Sequence, residues 1–225
     1  MTIRATARVV GLLALGMILG MGPVARAGMI VYSQPPVDGT DSFLSDDQAE
    51  RQVADNFSLA ASVTITDVHW WGGYTSNPNT LPDDNFTIRF FADNGSGLPE
   101  DDPIVTLSPV NLTRTLTGLI SDEGTQIYRY DADLSAGVLL NAGTTYYLSI
   151  VNDTSAINAW GWAGANQTGS LFGRSLLNPS WGTSSEGDRA FELTAVPEPS
   201  TLAMSGMAVV LIGLGAYRQR RRSQS

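Results

Sequence analysis

The stretch Asn85-Phe86-Thr87-Ile88-Arg89-Phe90 carries the clearest signal of the fold class, because its apolar side chains recur at every second residue. In an extended strand this spacing puts the apolar side chains on one face and the polar ones on the other. Residues 144–150 repeat the alternation, and Phe191 and Leu193 repeat it further along the chain. A period of two predicts strands with one buried face.

Further strands and turns extend this pattern on both sides. Three more segments are rich in threonine, aromatic and β-branched residues, which favour strands: residues 63–71, 125–130 and 158–163. Clusters of Asn, Asp, Gly and Pro predict turns between the strands, at residues 77–79, 93–97, 141–143 and 186–188. The pattern predicts an antiparallel β-sandwich with a jelly-roll-like topology over residues 28–195. Only residues 46–54 look compatible with a short helical turn.

The N-terminus has the three parts of a secretory signal peptide. Arginines in the first eight positions precede an apolar run at residues 9–21, and Ala25 and Ala27 form an A-x-A cleavage site. We therefore predict that signal peptidase removes residues 1–27 and that the exported chain begins with the β-sandwich.

The C-terminus combines a short motif, an apolar run and a basic end. The motif Val196-Pro197-Glu198-Pro199-Ser200 precedes residues 201–217, whose last sixteen residues carry no charge. As a helix those sixteen residues span about 24 Å, somewhat less than the bilayer core of about 30 Å. A buried helix would also fit this length, but the run is apolar on all faces and the basic end, residues 218–225, is abrupt. We interpret residues 201–217 as a single transmembrane helix whose basic end stays in the cytoplasm. The membrane-stop charges are Arg218, Arg220, Arg221 and Arg222.

In order and position these parts resemble the PEP-CTERM tail that bacterial exosortases recognise, over residues 196–222. The resemblance implies an exosortase as a processing partner. It also implies an inner-membrane-anchored precursor that is later delivered to the cell surface or to an extracellular polysaccharide matrix. The residues of the sorting and processing motif are then Val196, Pro197, Glu198 and Pro199. Three phrases resemble ectodomains that often precede such tails, which supports a sandwich but carries no activity: residues 54–59, 65–74 and 86–95.

The middle of the chain is strongly acidic and contains neither lysine nor cysteine. Residues 28–195 hold six of the thirteen basic residues but twenty-one of the twenty-two acidic ones, which gives a net charge of −15. Such a surface repels nucleic acid and anionic lipid, so we expect no nucleic-acid partner. The lack of cysteine excludes thiolate metal sites, iron–sulfur clusters and cysteine nucleophiles, and it leaves the hydrophobic core alone to hold the domain.

Catalytic motifs are absent, and we predict that the protein is not an enzyme. The single histidine, His69, lies in a predicted strand beside two tryptophans, where a packed or half-buried residue is commoner than a catalytic base. One histidine cannot make a zinc site of the usual composition. Glycoside hydrolysis needs only two carboxylates, although most acidic residues here fall in turns. A secreted hydrolase of the glycosidase type, acting on the extracellular polysaccharide, therefore remains the alternative function.

Calcium is the one cofactor that the sequence leaves open. A predicted turn and the acidic residues after it supply several oxygen ligands of the kind that calcium prefers. They do not match the twelve-residue EF-hand loop, and a plain hairpin turn explains the same residues. The candidate calcium ligands are Asp93, Asn94, Glu100, Asp101 and Asp102.

Tryptophans offer a second kind of candidate site, because a flat aromatic face can stack on a sugar ring. Trp160 and Trp162 lie on one face of a predicted strand, and Trp181 lies in a loop. Tryptophan is also a usual filler of a sandwich core, and we favour the core for most of these residues. Saccharide binding by Trp160, Trp162 and Trp181 is the open alternative. We therefore expect an exported, exosortase-sorted surface or matrix protein whose sandwich has a structural, adhesive or saccharide-binding role.

Overall fold

A computed structural model gives the structure of this protein and describes residues 28–154, 158–165, 169–175 and 177–195. The predicted signal peptide, with Ala25 and Ala27, lies outside the described residues. So do the sorting motif at 196–199, the predicted transmembrane helix and the membrane-stop arginines at 218–222. In the part of the chain that is described, no helix has the length and hydropathy to span a membrane.

Thirteen strands lie within the described residues. In chain order they are β1 (Met29–Gln34), β2 (Ser42–Leu44), β3 (Arg51–Ser58), β4 (Val63–Tyr74), β5 (Thr87–Ala92), β6 (Val105–Leu107), β7 (Pro109–Ile120), β8 (Gln126–Leu140), β9 (Thr145–Val151), β10 (Trp160–Ala163), β11 (Leu171–Ser175), β12 (Gly182–Ser184) and β13 (Phe191–Ala195). They include every strand that the alternation predicted.

The strands form two antiparallel sheets. Strand β4 is at the centre of sheet A. One of its edges pairs with β8, which in turn pairs with β7. Its other edge pairs with β13 over residues 65–70 and with β10 over residues 72–74. Strand β1 lies outside β13, and β2 lies outside β10. Sheet B has the order β12-β11-β3-β9-β5-β6. The two sheets confirm the predicted antiparallel sandwich.

The strand pairing is nested along the chain. The outer strands of the chain pair as β1 with β13, β3 with β11 and β4 with β10. The inner strands pair as β5 with β9 and β7 with β8. A long hairpin that rolls up into two sheets gives this kind of pairing, and a jelly roll is built from such antiparallel pairs. One result is that β2, β11 and β12 are brought together although residues 42 and 184 are far apart in sequence.

The core between the sheets is rich in aromatic residues at the alternating positions. Trp70 and Tyr130 stack with ring centroids 5.5 Å apart, and the Phe86 ring packs edge-on against Trp70 at 5.1 Å and Trp160 at 5.0 Å. All four side chains are buried. Aromatic pairs of this geometry add about 0.5–1.5 kcal/mol each beyond the burial of their area. Packing of this kind replaces the disulfides that the chain cannot form.

The segment at 46–54 is not helical, which corrects our prediction. The chain makes a tight turn after Asp46 and enters β3 at Arg51, whose backbone N–H donates to the Asp46 carbonyl at 3.1 Å. The Asp46 carboxylate is fully buried and accepts hydrogen bonds from the backbone N–H of Gln48 at 3.0 Å and of Trp160 at 2.9 Å. These bonds anchor the turn to β10 and direct the following residues into sheet B.

Candidate functional site

Two adjoining clefts lie where the edges of the two sheets meet, beside β2, β11 and β12. Their volumes are about 530 Å³ and about 600 Å³. Arg51, Gln52, Arg174 and Ser175 line both of them. Pockets that bind small ligands usually measure about 300–1,000 Å³, so each cleft is large enough for one. We call the two clefts together the edge cleft.

Short strands and glycines create the second and larger cleft. Strands β2 and β12 have three residues each. Gly173 and Gly182 face each other across β11 and β12 and carry no side chain. A Cβ atom at Gly173 would meet only the carbonyl oxygen of Gln52, at 3.9 Å, so a Cβ atom there would fit without a clash. The other walls mix apolar and hydroxyl-bearing side chains, among them Ser42, Phe43, Leu44, Leu171, Thr183 and Ser184.

Arg174 is held in place where the two clefts join. Its Nε donates to Oε1 of Gln52 at 2.9 Å, and a terminal nitrogen donates to the carbonyl of Asp101 at 3.0 Å. The guanidinium carbon also lies 4.5 Å from the ring centroid of Trp181 and 5.6 Å from that of Phe91. Arginine has five N–H donors. Three of them therefore have no partner among the described residues.

Arg51 and Arg89 complete a group of three arginines at this end of sheet B. Arg89 pairs with Ser149 across β5 and β9, and the Ser149 hydroxyl accepts a hydrogen bond from Gln52 at 3.0 Å. Arg89, Ser149, Gln52 and Arg174 thus form a row across the outer face of sheet B. Neither Arg51 nor Arg89 has a side-chain hydrogen bond or ion pair with any described residue. Burial, and after it the charge of Arg89, lowers the pKa of Arg174.

Four carboxylates also line the edge cleft: Asp47, Glu50, Glu123 and Glu186. In the described structure none of them forms an ion pair with the three arginines. Burial raises the pKa of Asp47, while the charge of Arg89 acts in the opposite direction. Glu50 has a φ of 55°, in the left-handed region that side chains rarely adopt, which fixes the tight turn at one end of the first cleft. The edge cleft therefore presents charges of both signs that form no direct ion pair with one another among the described residues.

His69 lies on the outer face of sheet A, where the polar side chains around it form hydrogen bonds with one another. Nδ1 of His69 lies 2.6 Å from Oδ1 of Asp131, and Nε2 lies 3.1 Å from Oγ1 of Thr194. Nε of Arg129 donates to the same Asp131 oxygen at 2.8 Å. Thr194 is buried, and neither cleft is lined by any of these residues. His69 is therefore a half-buried, hydrogen-bonded strand residue, as the sequence analysis favoured.

The three tryptophans considered for saccharide stacking are buried. Trp160 and Trp162 are fully buried between the sheets, and Trp181 is 7 % exposed. Nε1 of Trp181 donates to the carbonyl of Glu100 at 3.0 Å, which holds the ring under the loop between β5 and β6. Because no ring face is open to a sugar, these residues do not form an aromatic platform. This corrects the open alternative, and the core interpretation stands for all three.

The candidate calcium ligands lie on the loop that connects β5 to β6. The Asp93 carboxylate already accepts hydrogen bonds from the Tyr147 hydroxyl and from the backbone N–H of Gly95, both at 2.7 Å. The Tyr147 bond lowers the pKa of Asp93. Within the described ranges, no group of three or more His, Asp or Glu side chains could hold a metal ion. Calcium binding by Asp93, Asn94, Glu100, Asp101 and Asp102 stays a prediction.

The three arginines at and beside the edge cleft were missed by sequence reasoning, which counted Arg51, Arg89 and Arg174 only as charges. They are far apart in the chain and follow no motif. The one available signal was their rarity, because arginine supplies every positive charge of an acidic, lysine-free domain.

The fold and the cleft together define the class of protein, which is a two-sheet antiparallel β-sandwich with a polar cleft at one edge. Residues 30–194 match the family described as Domain of unknown function (DUF7901), and the chain belongs to this family. Residues 195–222 match the PEP-CTERM protein-sorting motif, which confirms the resemblance seen in the sequence. No curated protein matches the chain. The motif is that of exported proteins that exosortases sort.

Proposed function

We propose that this chain is an exosortase-processed protein of the cell surface or of an extracellular polymer matrix, with a non-enzymatic sandwich that binds saccharide through the edge cleft. The observation that carries the sorting part is the position of the motif. The match begins at residue 195, which is also the last residue of β13. A complete folded domain is thus followed directly by a segment that an enzyme can process outside the bilayer.

The saccharide part rests on the chemistry of the edge cleft. Hydroxyl, amide and guanidinium groups line it beside apolar side chains such as Leu44 and Leu171. Sugar hydroxyls need directional donors and acceptors, and the carbon face of a sugar ring needs apolar contact. A surface cleft with both suits a polymer that passes along the domain.

Two separate variants of the motif, Glu198→Gln and Pro199→Ala, test the sorting proposal. The two prolines keep the segment extended, because proline fixes φ and biases the preceding residue away from helix. In a host that contains the exosortase, we expect both variants to stay in the inner membrane at the unprocessed mass. Glu123→Gln is the matched control, since it removes the same charge from an exposed turn. Normal processing of the motif variants would refute the sorting proposal.

The enzyme alternative is a secreted glycosidase, which would use two carboxylates facing a cleft. Asp47, Glu50, Glu123 and Glu186 line the edge cleft and make this alternative worth measuring. Polymers that the protein binds are incubated with it and assayed for new reducing ends. Bound polymer that keeps its length supports a binding module. Release of reducing ends that disappears in Glu50→Gln or Glu186→Gln would replace our proposal by the hydrolase.

A further inference from the structure

The arginines of the ectodomain divide into two sets of three. Each arginine of the first set has a carboxylate partner: Arg114 with Asp84 at 3.0 Å, Arg129 with Asp131 at 2.8 Å and Arg189 with Asp41 at 3.3 Å. The second set, Arg51, Arg89 and Arg174, forms no ion pair with any described residue. All three of these lie at one end of sheet B, and two of them line the edge cleft.

A shortage of carboxylates does not explain the unpaired set, because acidic residues outnumber arginines by twenty-one to six in residues 28–195. The fold instead keeps Gln52 and Ser149 between Arg89 and Arg174, where a carboxylate would have joined them. Stacking on Trp181 fixes the Arg174 guanidinium before any ligand arrives. A fixed guanidinium loses little side-chain entropy on binding, and its planar fork matches a carboxylate in a bidentate pair.

We propose that the edge cleft is selective for saccharides that carry carboxylate groups, with Arg51 and Arg174 receiving the carboxylate and Arg89 adding positive charge beside them. This inference rests on the proposed saccharide-binding function and names its ligand class. The serine, threonine and amide groups of the second cleft bond the ring hydroxyls of the same sugar.

The acidic residues of the domain limit which anions can bind. Asp47, Glu50, Glu123 and Glu186 line the same cleft, and the net charge of −15 repels a polyanion from a distance. At physiological ionic strength that repulsion is screened beyond about 8 Å. Contact within the cleft therefore decides affinity, and a carboxylate must sit directly on the arginines. A free anion or a diffuse polyanion gains much less.

The test measures binding of the full-length protein, purified in detergent, to polygalacturonate, to neutral dextran and to dextran sulfate. Three variants are compared with the wild type. The Arg51→Gln, Arg174→Gln double variant removes the proposed carboxylate contacts. Gly173→Leu fills the second cleft without a change of charge. Arg129→Gln is the matched control, because it removes one arginine from the outer face of sheet A.

We expect polygalacturonate to bind at least ten times more tightly than dextran. The double variant should lose that preference, Gly173→Leu should weaken every polymer that binds, and Arg129→Gln should behave as wild type. A circular dichroism spectrum identical to that of the wild type shows that each variant has folded. A tenfold change corresponds to about 1.4 kcal/mol, which is modest for the loss of a charge-assisted bidentate contact.

Each contrary result overturns a distinct statement. Equal binding of dextran and polygalacturonate, or full binding by the double variant, overturns the carboxylate inference and leaves the saccharide-binding function in place. Binding of dextran sulfate alone overturns the choice of carboxylate. No binding of any polymer overturns both the inference and the saccharide part of the proposed function. The sorting part is tested separately by the Glu198 and Pro199 variants.

Discussion

The outer faces of the two sheets carry the same types of charged residue and use them differently. On sheet A, Arg129 donates to Asp131 and also lies 5.2 Å from the ring centroid of Trp71, while Asp131 bonds His69 as well. On sheet B, Arg89 forms no hydrogen bond or ion pair with a described residue, its cross-strand neighbour Ser149 is uncharged, and it acts on Asp47 only at a distance. The charges of sheet A are satisfied inside the fold, whereas those of sheet B are left available at the edge cleft.

We infer that this difference separates charges that stabilise the fold from charges that are available to a ligand. Arg51 is exposed and Arg89 and Arg174 are half-buried, so water still reaches their charges and leaving them unpaired costs the fold little. A buried arginine is different, because removing it leaves its partners without hydrogen bonds. Substitutions in the two sets should therefore have unequal effects on stability, and only those in the sheet B set should weaken binding.

The largest expected effect of a substitution at a fixed, neutral pH separates Arg189 from Arg51. The Arg189 side chain is fully buried and donates to the carbonyls of Glu186 at 2.7 Å and Gly187 at 3.2 Å, besides its bond to Asp41. We expect Arg189→Gln to lower the unfolding free energy by about 3–5 kcal/mol. We expect Arg51→Gln to change it by less than about 0.5 kcal/mol. Urea unfolding of the two variants measures both values, and similar losses would break the distinction between the sets.

The second effect concerns a buried acid on β3, the strand that also carries Arg51. Burial raises the pKa of Asp55 to about 8, against about 3.9 in an unfolded chain. Between these values the folded state holds a proton that the unfolded state has lost. The unfolding free energy should therefore fall as pH rises from 4 to 8, by at most about 1.4 kcal/mol per pH unit.

Asp55→Asn isolates this contribution from the other acids. The variant keeps an oxygen that can accept the hydrogen bond from the backbone N–H of Arg189, now 2.6 Å from the Asp55 carboxylate, but it cannot ionise. The stability of the variant relative to wild type should rise steadily from pH 4 to pH 8. A difference that does not depend on pH would show that Asp55 is not the buried acid that sets the slope.

The smallest expected effect is that of calcium on the loop beside sheet B. Both oxygens of Asp93 already accept hydrogen bonds, so a calcium ion must compete with Tyr147 and Gly95, and we expect millimolar calcium to raise the melting temperature only slightly. At a calcium concentration a hundred times the dissociation constant, mass action would raise the unfolding free energy by about 2.7 kcal/mol, and the melting temperature would rise with it. A rise that the Asp101→Asn, Asp102→Asn double variant abolishes would restore the calcium site that the sequence left open.

The fold was predictable where alternation was strict. The segments that contain Phe90, Leu148 and Phe191 form strands with those side chains buried, and the two tryptophans of β10 point to the core. Strand β7 was not predicted, because it is a sheet edge with much of its surface exposed and two irregularities in its register. An edge strand has no need of a regular apolar face, so its sequence does not display one.

The candidate site was not predictable, because tertiary pairing makes it. Arg51 and Arg174 line the same cleft only because β3 pairs with β11, and no local sequence pattern predicts that pairing. The tryptophans were easier to notice than the arginines, yet the structure buries the tryptophans and exposes the arginines at a cleft. Missing ion-pair partners are a property of the fold and cannot be read from composition.

Amide chemical-shift mapping tests the central claim most directly. Residues 28–195, labelled with nitrogen-15, are titrated with a short galacturonate oligomer and, separately, with a neutral glucose oligomer of the same length. We predict that galacturonate shifts the amides of Arg51, Gln52, Arg174 and Ser175 and leaves the outer face of sheet A around His69 unchanged. Shifts confined to sheet A, or equal shifts with the neutral oligomer, would contradict it.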